Sequence, residues 1–261
     1  MQCDEQWSFV YKKQRHCDLE NQQDHNRGDC WDHVAFDPEH KLVLKVVVDK
    51  RSGHAALKLM QGLRQKLKTP PRPSRQSRRR STGPQRQRRQ RRLLLTTDGY
   101  LPYPRVVQLS FGSSWPEGSF NYAVLEKRHD EQGRLLQVSC KHVVGSKRCI
   151  QQALKRSGIS RSVNTSFVER YNGTHRHRDG RMVRRSYRFS KSWQVHKSMS
   201  FFSHYSYNFC WCPRTLRSTR IHKGQHQGRH LSRTPAMAAG LTDHVWSLIE
   251  WLTYITVGLS G

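Results

Sequence analysis

Residues Leu42 to Val48 read Leu-Val-Leu-Lys-Val-Val-Val, a nearly continuous, mostly β-branched run of strand length. Branched side chains favour extended backbone, and an apolar run without polar alternation needs cover on both faces. A chain that holds such a strand must place layers on either side of its sheet. The surrounding sequence supplies them. Gln6 to Lys12 is aromatic and β-rich, and it reads, like Leu42 to Val48, as a central strand. Asp18 to Asp29 is polar and loop-like, Trp31 to Phe36 reads as a short strand, and Asp37-Pro38-Glu39-His40 carries turn chemistry. Ser52 then caps a helix whose apolar residues Ala56, Leu59, Met60, Leu63 and Leu67 recur at helical spacing. Strands passing into a helix predict an α/β fold.

That helix stops at Thr69-Pro70-Pro71. From Arg72 to Arg92 follow ten arginines among Ser, Gln, Pro and Gly, with no acid and no aliphatic residue. Such a segment cannot build a core and is expected to be a disordered, solvated loop or a clamp on a polyanion backbone. Leu93-Leu94-Leu95-Thr96-Thr97 restores a buried-strand pattern, ended by the turn-forming Asp98-Gly99. Tyr122 to Glu126 and Leu135 to Val138 flank a turn at Asp130 to Gly133 and read as a hairpin. Cys149 to Ser157 and Ser162 to Arg176 read as helices, the second carrying Glu169. Phe189 to Trp211 is rich in aromatics, Arg214 to Arg233 is basic and irregular, and Leu241, Val245, Leu248, Ile249, Leu252 and Ile255 mark an amphipathic C-terminal helix.

Charge narrows the function classes. With 47 basic and 19 acidic residues the formal charge is +28, which self-repels unless a polyanion is near, and nucleic acid is the natural partner. No stretch reaches the roughly 18 to 20 apolar residues of a membrane span, and no signal peptide pattern opens the chain. The expectation is a cytoplasmic, nucleoid-associated protein with no membrane partner. Seven cysteines, an odd number, point to reduced thiols rather than a disulfide framework.

In so basic a chain three acids stand out by position. Asp4 lies just before the first strand, Asp98 at the end of a later one and Glu169 on a helix, on elements able to converge at one sheet edge. Carboxylates sharing two divalent cations suit in-line phosphoryl transfer, and Mg²⁺ or Mn²⁺ prefers such hard oxygen ligands. On spacing alone any one of these acids is more often a helix cap or a surface charge. Glu5 is an alternative first ligand; alternation along the strand sends it to the face opposite Asp4.

Three strings sharpen the choice: Asp4-Glu5-Gln6-Trp7-Ser8-Phe9-Val10, Thr97-Asp98-Gly99-Tyr100, and Asn164-Thr165-Ser166-Phe167-Val168-Glu169-Arg170-Tyr171-Asn172-Gly173-Thr174. In order and context this set resembles the DDE transposases of bacterial insertion sequences, closest to the insertion sequence one group. Arg184-Arg185, Phe189-Ser190-Lys191 and the tail from Arg233 to Leu241 extend the likeness over the chain outside the arginine-rich loop and Pro116 to Val144. The resemblance implies an RNase H-like mixed sheet flanked by helices, with Asp4, Asp98 and Glu169 as catalytic residues binding two Mg²⁺ or Mn²⁺ ions. It also implies DNA as partner, both transposon ends and target, and a homo-oligomer assembled on it. The corresponding organisation is residues 1–68 as the first part of the catalytic domain, 69–92 as a disordered arginine-rich insertion, 93–213 as the remainder, and 214–261 as a basic linker with the terminal helix. Transposases of this group carry an upstream recognition domain. Only three residues precede Asp4, and no zinc-ribbon or helix-turn-helix pattern is present, so the reading adds a DNA-binding partner encoded upstream.

Glu169, Asn172 and Arg176 share one face if their helix persists past Gly173, which weakens a helix interior by roughly 1 kcal/mol relative to Ala, and such a face suits metal beside phosphate, with Asn172 and Arg176 as DNA-binding residues. Arg184, Arg185 and Lys191 are candidate phosphate contacts. Trp193, Phe201, Phe202, Tyr205, Tyr207, Phe209 and Trp211 are expected in the core, with base stacking as the alternative. Cys210-Trp211-Cys212 with His175, His177 and His204 offers zinc-ligand types without a second cysteine pair at zinc spacing. The competing function is a non-catalytic nucleic-acid-binding protein whose acids are structural.

Overall fold

The computed structural model describes residues 1–18, 20–67, 93–112, 120–183, 186–220 and 229–254. The arginine-rich segment and the Arg184-Arg185 pair lie outside them. The centre is a six-stranded mixed sheet built from β1 (Gln2–Val10), β2 (Gly28–Asp37), β3 (Leu42–Asp49), β4 (Leu93–Asp98), β5 (Phe120–His129) and β6 (Leu135–Val144), in the order β3-β2-β1-β4-β5-β6. β1, β4 and β5 run parallel, whereas β2, β3 and β6 pair antiparallel to their neighbours. β1 is central, as its sequence predicts. β3 is not: the Leu42 to Val48 run forms an edge strand.

An edge strand can be this apolar because helices cover both its faces. Helix α1 (Gly53–Lys66), capped by Ser52 Oγ accepting from Ala55 N at 3.2 Å, packs Ala56, Leu59, Met60 and Leu63 with Leu95, Tyr122 and Val124 in one core cluster. α2 (Pro102–Phe111) adds Tyr103, Val107 and Phe111 to the same face. On the opposite face Val43, Val46 and Val48 pack with Val34, Phe36, Val168, Tyr171 and Tyr207. These last three come from α4 (Ser166–Arg178) and α5 (Trp193–Cys210). α3 (Lys147–Ser157) buries Ile150 and Ala153 near β4 and β5.

The open edge of β3 is closed by side chains of α5. Val43 N donates to Asn208 Oδ1 and Asn208 Nδ2 donates to Val43 O, both at 2.9 Å, so one amide imitates a neighbouring strand. Tyr205 Oη accepts from Val46 N at 3.3 Å. An unpaired strand edge is a template for association, and here it is occupied. The polar segment after β1 folds around buried Asp24, which accepts from Asp18 N at 2.8 Å and pairs with Lys12 at 2.5 Å and Arg27 at 3.1 Å.

Beyond α5 the chain forms the short pair β7 (Ser218–Arg220) and β8 (Arg229–Leu231), then α6 (Pro235–Ala238) and α7 (Leu248–Thr253). The expected C-terminal amphipathic helix is thus broken and short. Leu241 and Val245 precede it, Ile255 lies outside the described residues, and Leu248, Ile249 and Leu252 are exposed. Gly240, with φ +71°, turns the chain before α7. No helix among the described residues is long and apolar enough to cross a membrane.

Removing the Asn208 amide leaves two buried backbone groups of β3 unpaired. Asn208→Ala is expected to lower unfolding stability by about 2 kcal/mol or more. Urea denaturation at neutral pH checks it, and a loss under about 0.5 kcal/mol would mean that the edge needs no such partner.

Candidate active site

The parallel pairing of β1 with β4 sets Cys3 opposite Thr97 and Gln2 opposite Thr96. One step further along, Asp4 and Asp98 follow on the neighbouring strands. Paired positions share a face, so both acids lie on the side covered by α4, while Cys3 joins the α1–α2 core. α4 is fixed over that face by a polar row of β1. Gln2 Oε1 accepts from Val168 N at 2.9 Å in the first turn of α4, where the N-cap Thr165 makes no capping bond of its own. Asn172 Nδ2 donates to Asp4 Oδ2 at 2.8 Å, and Gln6 Nε2 donates to Asn172 O at 3.1 Å. The helix runs through Gly173 to Arg178, so Gly173 does not interrupt it.

Glu169 sits one turn before Asn172 on α4 and is held by two donors, Lys127 Nζ at 2.5 Å and Thr165 Oγ1 at 2.7 Å. Lys127 lies on β5 two residues beyond Leu125, the partner of Asp98, and therefore points to the same face as the acids. The sequence reading missed it. Strand alternation after Tyr122 was the available signal.

Burial, the charges of Asp98 and Glu169, and the opposing hydrogen bonds together leave the Asp4 carboxyl raised to about 6, with burial the largest cause. Burial also disfavours the charge on Glu169, but the Lys127 and Thr165 hydrogen bonds outweigh it and hold that carboxyl below the usual range. Glu5 points to the opposite face, where Tyr103 Oη donates to Oε1 and Arg51 Nη2 to Oε2 at 3.0 Å. Burial and then Asp98 raise Glu5 to about 7. Alternation thus separates Asp4 from Glu5 as the sequence predicts.

The structure brings Asp4, Asp98, Glu169 and Asn172 to one face but does not close the three acids into a tight ligand set. Among the described residues three groups have donor atoms within 4.8 Å of one another: Cys30, Asp32 and His196; Asp32, His175 and His204; and Asp37, Glu39 and His40. None contains Asp4, Asp98 or Glu169. The reason is local: Lys127 draws Glu169 toward β5, and Tyr100 N donates to Asp98 Oδ1 at 3.2 Å across the turn into α2. The donor set still suits a hard divalent cation. Three carboxylates share one face of the sheet with Lys127 paired to one of them, and Asn172 Oδ1 is buried with no hydrogen-bond partner beside Asp4.

Arg176 is half-buried on α4. Lys191 is exposed, its ammonium 3.1 Å from the ring centre of Phe189, which packs on Phe9. Phe9 is five residues along β1 from Asp4, about 17 Å at strand rise, so Lys191 sits toward the far end of that strand. Tyr207 is buried, and Trp193, Phe201 and Tyr205 pack against the core, whereas Trp211 is exposed beyond α5. Cys210 and Cys212 form no metal-sized group with the histidines.

Glu5 is protonated in the fold at pH values where the unfolded chain has ionised it. Its stabilising effect is present below its ordinary value of 4.5 and is lost as pH rises to about 7 and beyond. With chelator present, the stability of the wild type relative to Glu5→Gln is expected to fall between those limits; a difference that is flat or rises with pH contradicts the assignment. Searches against protein-family models, curated proteins and solved structures returned no match, so the reading of this face rests on its own residues.

Proposed function

We propose that this chain is a DDE-type transposase, cutting DNA at transposon ends and joining the 3′-hydroxyl to target DNA on an RNase H-like sheet. One observation carries the reading: Asp4 and Asp98 continue adjacent strands on one face, and α4 sets Glu169 and Asn172 over them. The order of these acids along the chain and the strings around them are those of the resemblance, and a mixed sheet flanked by helices agrees with it. The charge of +28 supplies affinity for the DNA backbone through counterion release.

Asp4 and Asp98 would hold the divalent ions, with Glu169 completing the set and Asn172 fixing Asp4 through its amide. When bound there, Mg²⁺ or Mn²⁺ supplies an activated water or 3′-hydroxyl and stabilises the leaving oxygen. Lys127 balances Glu169 in the structure as it stands, and its release from that carboxylate frees a cation for a phosphate beside the acids. Asp4, raised to about 6, must lose its proton to act as a ligand, so metal-dependent activity rises with pH through that value. Lys191, Arg184 and Arg185 serve as backbone contacts that position DNA without reading its sequence. A homo-oligomer on DNA belongs to the same reading.

The Lys127–Glu169 pair also favours a second reading, a nucleic-acid-binding protein whose acids are neutralised internally. The two differ in metal dependence. With supercoiled and short duplex DNA in Mg²⁺ or Mn²⁺, the wild type is expected to nick and join, and Asp98→Asn to bind DNA with at least about a hundredfold less cleavage, as expected when electrostatic stabilisation of the transition state is lost. Equal DNA binding by both proteins, with no cleavage at any metal concentration, would leave the binding reading.

A further inference from the structure

The α4–α5 side of the sheet contains a second cluster that the proposed chemistry does not use. Asp32 on β2, His175 on α4 and His204 on α5 are each 0 % exposed. One carboxylate oxygen and one ring nitrogen from each histidine lie within 4.8 Å of one another. His204 Nε2 is 3.0 Å from Asp32 Oδ2, and its Nδ1 is 2.7 Å from Tyr171 Oη.

The tautomer of His175 follows from its neighbours. Gln6 Nε2 donates to Asn172 O, so Gln6 Oε1 is an acceptor and must receive the Nδ1–H of His175 at 2.9 Å. Nε2 of His175 is then a bare lone pair, buried and without a hydrogen-bond partner. Asp32 Oδ1 is buried without a hydrogen-bond partner as well, with His196 Nε2 3.9 Å away. Two electron-pair donors cannot satisfy each other, and leaving both unmet in a dry interior is costly. Cys30 and His196 also come within 4.8 Å of Asp32, so donor atoms gather around this carboxylate from two groups.

We propose that Asp32, His175 and His204 form a structural site for one zinc-class divalent transition-metal ion, distinct from the carboxylates Asp4, Asp98 and Glu169. Two imidazoles and a carboxylate suit zinc rather than magnesium. The second nitrogen of each ring already engages Gln6 or Tyr171, the arrangement that fixes ring orientation and tautomer in metal-bound histidines. The rings of His175 and His204 stack at 3.7 Å with 14° between planes. Bonds of about 2.0–2.1 Å would draw their Nε2 atoms inward and tilt the rings apart. The ion ties β2 to α4 and α5, and so braces the helix that carries Glu169. This inference does not depend on the proposed transposase activity.

The test uses the full chain made without a polyhistidine tag. Elemental analysis after dialysis is expected to find about one zinc per chain. Chelator-stripped protein should take up Co²⁺ with visible absorption bands. Asp98→Asn should keep the visible bands of the Co²⁺ held by imidazole, whatever it loses at the carboxylates, whereas Tyr171→Phe, which keeps the ring and removes only the hydroxyl beside His204 Nδ1, should weaken that Co²⁺ binding about tenfold or more. The inference is overturned if stripped wild type takes up no Co²⁺ and unfolds at the same temperature with Zn²⁺ as with chelator. It is equally overturned if Asp98→Asn abolishes Co²⁺ uptake while Tyr171→Phe leaves it unchanged, since the ion would then belong to the carboxylates.

Discussion

Gln2, Asp4 and Gln6 line one face of β1, and each is hydrogen-bonded to α4. A central strand would ordinarily meet a helix through apolar side chains, whose association is non-directional. Here the contact is a polar row flanked by the apolar cluster of Val34, Phe36, Val168 and Tyr171. Each buried hydrogen bond adds only about 0.5–1.5 kcal/mol, but a one-residue slip would leave several buried groups unmet at about 1–3 kcal/mol each. Apolar packing supplies the larger attraction and the polar row sets the register. That register places Glu169 and Asn172 over Asp4, so the geometry of the candidate site follows from it.

The same face carries two kinds of donor set. Near Asp98 they are carboxylates, balanced by Lys127, where burial first and the charge of Asp98 second raise Asp4. Deeper under α5 they are Asp32 with His175 and His204, where burial lowers the proton affinity of His175 well below its usual range, and neighbouring His204 and Arg178 add to the effect. Oxygen donors on β1 and β4 suit a hard cation such as Mg²⁺, and imidazoles in a dry interior suit a zinc-class ion. Gln6 and Asn172 link the two sets through adjoining hydrogen bonds.

Much of this architecture is legible in the residues. The β-branched run, the helix beginning at Ser52, the strand ending at Asp98 and the hairpin around Gly133 appear where periodicity and turn chemistry put them. Alternation separates Asp4 from Glu5. The edge position of β3 was not legible, because cover on both faces gives the same apolar pattern in an edge strand as in a central one when helices overlie it. α2 goes unassigned in the sequence reading although Tyr103, Val106, Val107 and Phe111 follow helical spacing; its prolines, Pro102 and Pro104, both fall in the first turn, where no amide hydrogen is needed. α5 was obscured by aromatic residues that favour strands in isolation. Lys127 and Asp32 depended on pairing across the sheet, which no local window reveals.

The central claim is that Asp4 and Asp98, with Glu169 above them, form a divalent-metal site. Crystals soaked in Mn²⁺ and measured for anomalous scattering test it most directly. The account predicts a peak between Asp4 and Asp98, with Lys127 Nζ withdrawn from Glu169. A map with no peak at those carboxylates, and Lys127 still on Glu169 at saturating Mn²⁺, would contradict it.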